Sequence, residues 1–181
     1  MKLKRIVIIS GSPGSGKSSV SRLLAENSTH ERAVHMHTDD FYGYIRKGYI
    51  PPWLPKADEQ NTVIIESFAT SVASLASGGY EVFVDGVIGP WFLDPWLKLA
   101  YDGFDVRYVI LRPSQQTVIS RAKEREKGVV SIDIDAVKQM WHAFSDLGEY
   151  RSHAIDTTNQ KLDETVVSIQ KLLNENAMKI I

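Results

Sequence analysis

The run Gly11-Ser12-Pro13-Gly14-Ser15-Gly16-Lys17-Ser18 fits the spacing G-x-x-x-x-G-K-[ST], and its chemistry is the holding of a polyphosphate. Glycines at 11, 14 and 16 let the chain turn tightly and approach an anion with no Cβ in the way, so that successive N–H groups point inward as a nest. A helix beginning near Gly16 adds its positive N-terminal end to the same spot. Lys17 then reaches the β- and γ-phosphates and the Ser18 hydroxyl ligates Mg²⁺. The expected nucleotide-binding residues are this whole run together with Ser19.

Three carboxylates, Asp39, Asp40 and Asp85, each follow an apolar or β-branched segment directly. In a parallel sheet, ligands sit at the carboxyl ends of the strands, so all three are candidates to face the triphosphate. Asp85 ends the run Val82-Phe83-Val84 as expected of a residue that holds Mg²⁺ directly or through water. Asp39 and Asp40 suit transfer to a hydroxyl, which needs a carboxylate to position the acceptor and take its proton. Adjacent side chains at a strand end point in different directions, so one of the pair is expected to meet the acceptor. Asp39 is the favoured one, with Asp40 left open.

The aromatic residues Phe41, Trp53 and Trp91 are the candidate acceptor contacts. Trp53, Trp91, Phe92 and Trp96 fall in the two regions after the second and third strands, where an acceptor pocket would open. An aromatic wall suits a ring-bearing or apolar acceptor better than a bare polyol. His35 and His37 share one strand face and, with Asp39, suggest a metal cluster. A fit to the second strand is explanation enough for them, since Mg²⁺ calls for oxygen ligands.

The elements that must position these residues alternate between strand and helix type, the pattern of an α/β fold with a doubly wound parallel sheet of five strands. Strands are expected at 5–10, 33–37, 81–86, 106–111 and 153–156. Helices are expected after the phosphate loop and over 58–77, 113–127, 131–147 and 161–174, with Pro113 placed to start the third. Residues 41–57, rich in aromatics, Gly and Pro, read as an acceptor loop.

The chain has 181 residues, 43% of them hydrophobic, a net charge of −1 and no cysteine. That is material for one core, and residues 1–181 are expected to form a single domain. Mixed charge argues against a nucleic-acid partner. The absence of thiols excludes disulfides, and no stretch is long enough to span a bilayer, so a cytoplasmic protein without a membrane partner is expected. Oligomeric state is not readable.

The pairing of Gly11–Ser18 with Thr38-Asp39-Asp40-Phe41 resembles the small P-loop kinases of the AAA-type P-loop NTPase superfamily, the group of polynucleotide 5′-kinases, gluconate kinases, shikimate kinases and chloramphenicol phosphotransferase. The resemblance implies a nucleoside-monophosphate-kinase-like fold, ATP and Mg²⁺ as cofactors, and a small-molecule hydroxyl as acceptor. Alignment with polynucleotide kinases implies that Asp39 activates the acceptor, and alignment with gluconate kinases implies Asp40. It also implies a short lid at about 121–133 with Arg121 and Arg125 closing over the phosphates, and an adenine site around 156–159. The runner-up within kinases is a polynucleotide 5′-kinase-like enzyme, and outside them a regulatory NTPase without acceptor. Against a guanine switch stand the missing Asn-Lys-x-Asp element and Ile88, which occupies the glycine position of Asp-x-x-Gly.

Overall fold

The structure is a computed structural model that describes residues 4–126 and 133–181, with the side chains of Arg125 and Glu126 outside the description. Its order is β1 (Arg5–Ser10), α1 (Lys17–Glu26), β2 (Ala33–His37), α2 (Thr38–Gly43), α3 (Asp58–Ser77), β3 (Glu81–Gly86), α4 (Asp94–Tyr101), β4 (Asp105–Leu111), α5 (Gln115–Glu126), α6 (Ile134–Ala143), β5 (Ala154–Ile155) and α7 (Leu162–Asn174). The five strands form one sheet in the order β2-β3-β1-β4-β5, every pair parallel.

The period-2 geometry of β1 explains its unbroken Ile-Val-Ile-Ile run. Ile6 and Ile8 face a core shared with Phe68 and Val72 of α3 and Trp96 of α4. Val7 and Ile9 face a second core, shared with Val20 and Leu24 of α1 and Ile169 of α7. All four β1 residues are fully buried. A strand covered by helices on both faces has no polar side to present, so hydrophobicity does not alternate along it.

Several boundaries differ from the sequence expectation. The segment expected to be a loop from Phe41 onward starts instead inside α2, which begins directly at the end of β2. Residues 94–101, left without an element, form α4, with Pro95 in the first turn, where a missing N–H costs nothing. Pro113 lies outside α5. Ser114 caps that helix instead, accepting the Thr117 N–H at 3.3 Å, while Val118 N–H donates to Ser114 O at 3.0 Å.

The helix expected over 131–147 is described from Ile134 to Ala143, with the Asp133 carboxylate capping it by accepting from Asp135 N and Ala136 N. A 3₁₀ turn, Gly148–His153, follows it, and β5 is only two residues long. Of the expected lid, residues 127–132 lie outside the described residues.

Candidate active site

The phosphate loop is shaped by backbone that other residues tolerate poorly. Gly14 has φ +83° and Gly16 φ +94°, both in the left-handed region. A Cβ on Gly14 would also lie 2.7 Å from Val118 O, because α5 crosses directly over the loop. Gly16 places α1 so that its first residue, Lys17, points into the site. Lys17 is nearly buried, and Ser18 is half-buried one position on. The buried Ser15 Oγ has no hydrogen-bond partner among the described residues. Arg121 reaches back from α5, its Nη1 donating to Ser15 O at 3.4 Å. Arg125 follows one turn later on α5, with its side chain outside the described residues. Ser12 is buried, and Ser19 is half-buried on α1.

The strand-end acids and the two histidines form one chain of hydrogen bonds. β2 and β3 pair with His37 opposite Asp85 and His35 opposite Phe83, which sets both imidazoles beside the Asp85 carboxylate. The Ser18 hydroxyl donates to Asp85 Oδ2 at 2.6 Å. His37 Nδ1–H donates to the same oxygen at 2.8 Å, and His35 Nε2–H donates to Oδ1 at 2.5 Å. The second ring nitrogen of His37, Nε2, lies 3.1 Å from Asp39 Oδ2. With a carboxylate at each nitrogen, His37 carries both protons. It is pushed up to about 10, first by the bond to Asp39 and then by that to Asp85.

Burial alone would raise the Asp85 carboxyl, but the bonds from His35, His37 and Ser18 outweigh it and hold the group well below the usual carboxylate range. Asp39 is lowered chiefly by its hydrogen bond from His37, with the charges of His37 and Lys17 adding to it. The Asp39 side chain is 71% exposed, so this ionised group faces open space on its other side.

The oxygen chemistry around Ser18 fits Mg²⁺. Asp85 accepts from Ser18 and the two imidazoles and so orients the Ser18 hydroxyl. No group of three or more His, Cys, Asp or Glu side chains among the described residues is arranged to hold a metal. A cation here would therefore take Ser18 Oγ, nucleotide oxygens and water, the ligand set that Mg²⁺ prefers. His35, His37 and Asp39 are joined through Asp85 in one ion-paired chain.

One cavity of about 910 Å³ joins these groups. Pro13, Lys17, Ser18, His37 and Asp39 line one end, and Tyr42, Tyr49, Trp53, Trp91 and Phe92 line much of the rest. α6 contributes Gln139 and Met140 to the wall. That helix is fixed by Trp141, whose indole N–H donates to Pro113 O at 2.9 Å and whose ring lies 4.8 Å from the Arg112 guanidinium carbon.

Four sequence candidates lie outside the cavity lining. Asp40 is exposed on α2 and does not line the cavity, because consecutive helical residues diverge by about 100°. Phe41 turns into the core and meets Phe68 edge-on, centroids 5.0 Å apart, so it is a packing residue. Trp96 is fully buried in α4. Residues 156–159 lie outside the cavity, where Asp156 accepts the Thr158 N–H at 2.9 Å. The residues that sequence reasoning missed are His35 and His37 as partners of Asp85, together with Tyr42 and Tyr49. For the histidines a signal existed: a His-x-His strand has both imidazoles on one face.

Among curated proteins no sequence matches the chain. Solved structures match along nearly the whole length. A sugar kinase from Janibacter sp. HTCC2649 is 16% identical with a TM-score of 0.71, covering 96% of this chain and 98% of its own. A gluconokinase from Sinorhizobium meliloti 1021 is 19% identical with a TM-score of 0.70, covering 98% and 95%. The APS kinase of Mycobacterium tuberculosis in complex with AMPPNP and APS is 18% identical with a TM-score of 0.67, covering 96% and 98%. These likenesses establish the fold as that of the small P-loop kinases. A family model for an AAA domain matches residues 7–142, from the middle of β1 through the phosphate loop and Asp85 to α6. The chain is a member of the AAA domain family.

Proposed function

We propose that this protein is an ATP- and Mg²⁺-dependent phosphotransferase that moves the γ-phosphoryl group of ATP to a hydroxyl of a small molecule. The observation that carries the reading is the position of Asp39, which lines the same cavity as Lys17 and Ser18. The likeness to a sugar kinase, a gluconokinase and an APS kinase supports the same class.

In the reaction the acceptor oxygen forms a bond to the γ-phosphorus while the bond from that phosphorus to the β–γ bridging oxygen breaks, leaving ADP. Lys17 and the N–H groups of the phosphate loop hold the charge on the phosphates, and Arg121, poised on Ser15 O, adds to it. The resemblance to small P-loop kinases supports the same work for Arg125, one turn further along α5. Mg²⁺ held at Ser18 would supply further charge neutralisation.

Asp39 is ionised and already accepts one hydrogen bond from His37, which makes it a weak base and a good acceptor. It therefore orients the acceptor hydroxyl and takes its proton late, as suits a loose transition state in which the nucleophile needs little activation.

ATP consumption with Mg²⁺, measured alone and against a panel of sugars, nucleosides and aromatic alcohols, tests the reading. Consumption that depends on one class of acceptor, with phosphate recovered on that acceptor, supports it. Hydrolysis indifferent to every acceptor would move the protein to the class of regulatory NTPases.

A further inference from the structure

Among the described residues, the acceptor end of the cavity is aromatic and uncharged. Among the described lining residues the charged side chains are Lys17, His37 and Asp39, all at the phosphate end. Neither cation serves an anionic acceptor. His37 has both ring nitrogens on Asp85 and Asp39, and Lys17 is the lysine of the phosphate loop. Arg46 and Lys47 are exposed in the neighbouring loop and do not line the cavity. The Tyr42 phenol, pushed up to about 12 chiefly by burial, stays neutral.

The aromatic wall is also held in place before any ligand arrives. The Tyr42 hydroxyl donates to Asn61 Oδ1 at 2.9 Å, and Asn61 Nδ2–H donates to Pro52 O at 2.8 Å. Gln60 clamps Ile50 through both its backbone groups, accepting from N–H at 2.8 Å and donating to C=O at 2.7 Å. Two adjacent residues of α3 thus tie down the loop that carries Tyr49 and Trp53. Across the site, the Trp91 ring packs over Gly89, where a side chain would collide with the indole, and lies 5.4 Å from the Phe144 ring. Trp53 and Trp91 are nonetheless 53% and 48% exposed. Large rings fixed in place and left half-open at a cavity mouth present a preorganised stacking surface.

Resting on the phosphotransferase reading above, we infer that the acceptor is an uncharged, ring-bearing alcohol whose ring packs against Trp53, Trp91 and Tyr49 while its hydroxyl reaches Asp39. An acceptor carboxylate or phosphate would lose its hydration against this wall with no cation among the described residues that line it to replace that hydration. It would also feel the negative charge of Asp39. A bare polyol would leave its hydroxyls facing rings that can answer few of them.

Calorimetric binding and coupled turnover with matched pairs test this: tryptophol against indole-3-lactate, a neutral nucleoside against its 5′-monophosphate, and glucose against gluconate, each in the presence of Mg²⁺ and a non-hydrolysable ATP analogue or ATP. Tryptophol and the neutral nucleoside are expected to bind at least about tenfold tighter than their anionic partners, and tighter than glucose. Trp91→Ala is expected to weaken that binding about tenfold while affinity for the ATP analogue holds. Trp91→Phe is expected to restore most of it.

Preferred binding or phosphorylation of gluconate, the nucleotide or indole-3-lactate would overturn the inference and leave the kinase reading standing. Failure of every neutral ring compound to bind would overturn it as well. Selective binding of the neutral ring compounds without acceptor-dependent ATP consumption would uphold the pocket chemistry and overturn the kinase reading.

Discussion

His37 is the point at which two acids of different duty meet. Asp85 holds the Ser18 hydroxyl and Asp39 faces the acceptor space, and one imidazolium donates to both. Its role is to fix the direction of the Asp39 carboxylate, so His37→Gln, which can bond only one of the two acids at a time, is expected to lower kcat about tenfold with the KM for ATP nearly unchanged. Steady-state kinetics separate this from simple loss of structure, which would move both constants and the unfolding midpoint together. The phosphate loop was legible in the sequence because its spacing alone implies its chemistry, and Asp85 stood out only as the end of an apolar run. The roles of His35 and His37 were not, because they depend on β2 lying next to β3, and that adjacency is a property of the sheet order. The divergence of Asp39 and Asp40 was legible as a principle. Which of them meets the cavity needed the start of α2 to be known.

The elements that matter most are those that bring backbone close to the phosphate loop. α5 passes so near Gly14 that Val118 O occupies the space of any side chain there. Gly14→Ala would combine that collision with a left-handed backbone that costs about 1–2 kcal/mol for a residue with a Cβ. A fall of several degrees in melting temperature and weaker ATP binding in calorimetry are expected. Gly43→Ala, where a Cβ meets nothing and φ is ordinary, serves as the control that should leave melting unchanged or slightly raised.

The long helix α3 was readable to the residue from its periodicity, since twenty residues give the pattern room to repeat. α2 and α4 are six and eight residues long. Elements that short show barely two turns of pattern, and their aromatic and proline content reads equally well as loop. Missing α2 is why Phe41 was expected in the acceptor site. Missing α4 is why Trp96 was grouped with the exposed tryptophans.

Across the whole molecule, stability and chemistry sit at opposite ends of the sheet. The carboxyl ends of the strands carry the cavity, while near the amino end of β4 the buried Arg107 ties the C-terminal segment down. Its Nε–H donates to Asp105 Oδ1 at 2.6 Å and its Nη1–H to Ala177 O at 2.7 Å, and a further bond joins it to Asn176 Oδ1. Arg107→Leu would leave these acceptors without their donor and is expected to cost about 3–5 kcal/mol, read from urea unfolding. Burial would raise the Asp105 carboxyl, but the bonds from Arg107 and Arg5 outweigh it and leave its pKa below the usual value. A depressed carboxylate stabilises fully above its unfolded pKa of about 3.9 and loses that contribution as pH falls through the folded value. The stability gap between wild type and Arg107→Leu should therefore be constant near neutrality and narrow below about pH 4.

The parallel α/β architecture was legible because a sheet covered on both faces writes continuous apolar strands. The two-residue β5 and the 3₁₀ turn before it carry too few residues to write any pattern.

Whether Asp39 and the phosphate loop serve one phosphoryl transfer is read from the kcat of Asp39→Asn beside that of Asp40→Asn with the acceptor that supports ATP consumption. A loss of about a hundredfold or more is expected for Asp39→Asn and a change within about twofold for Asp40→Asn, with ATP affinity kept in both. Full activity in Asp39→Asn, or a collapse confined to Asp40→Asn, would contradict that shared role.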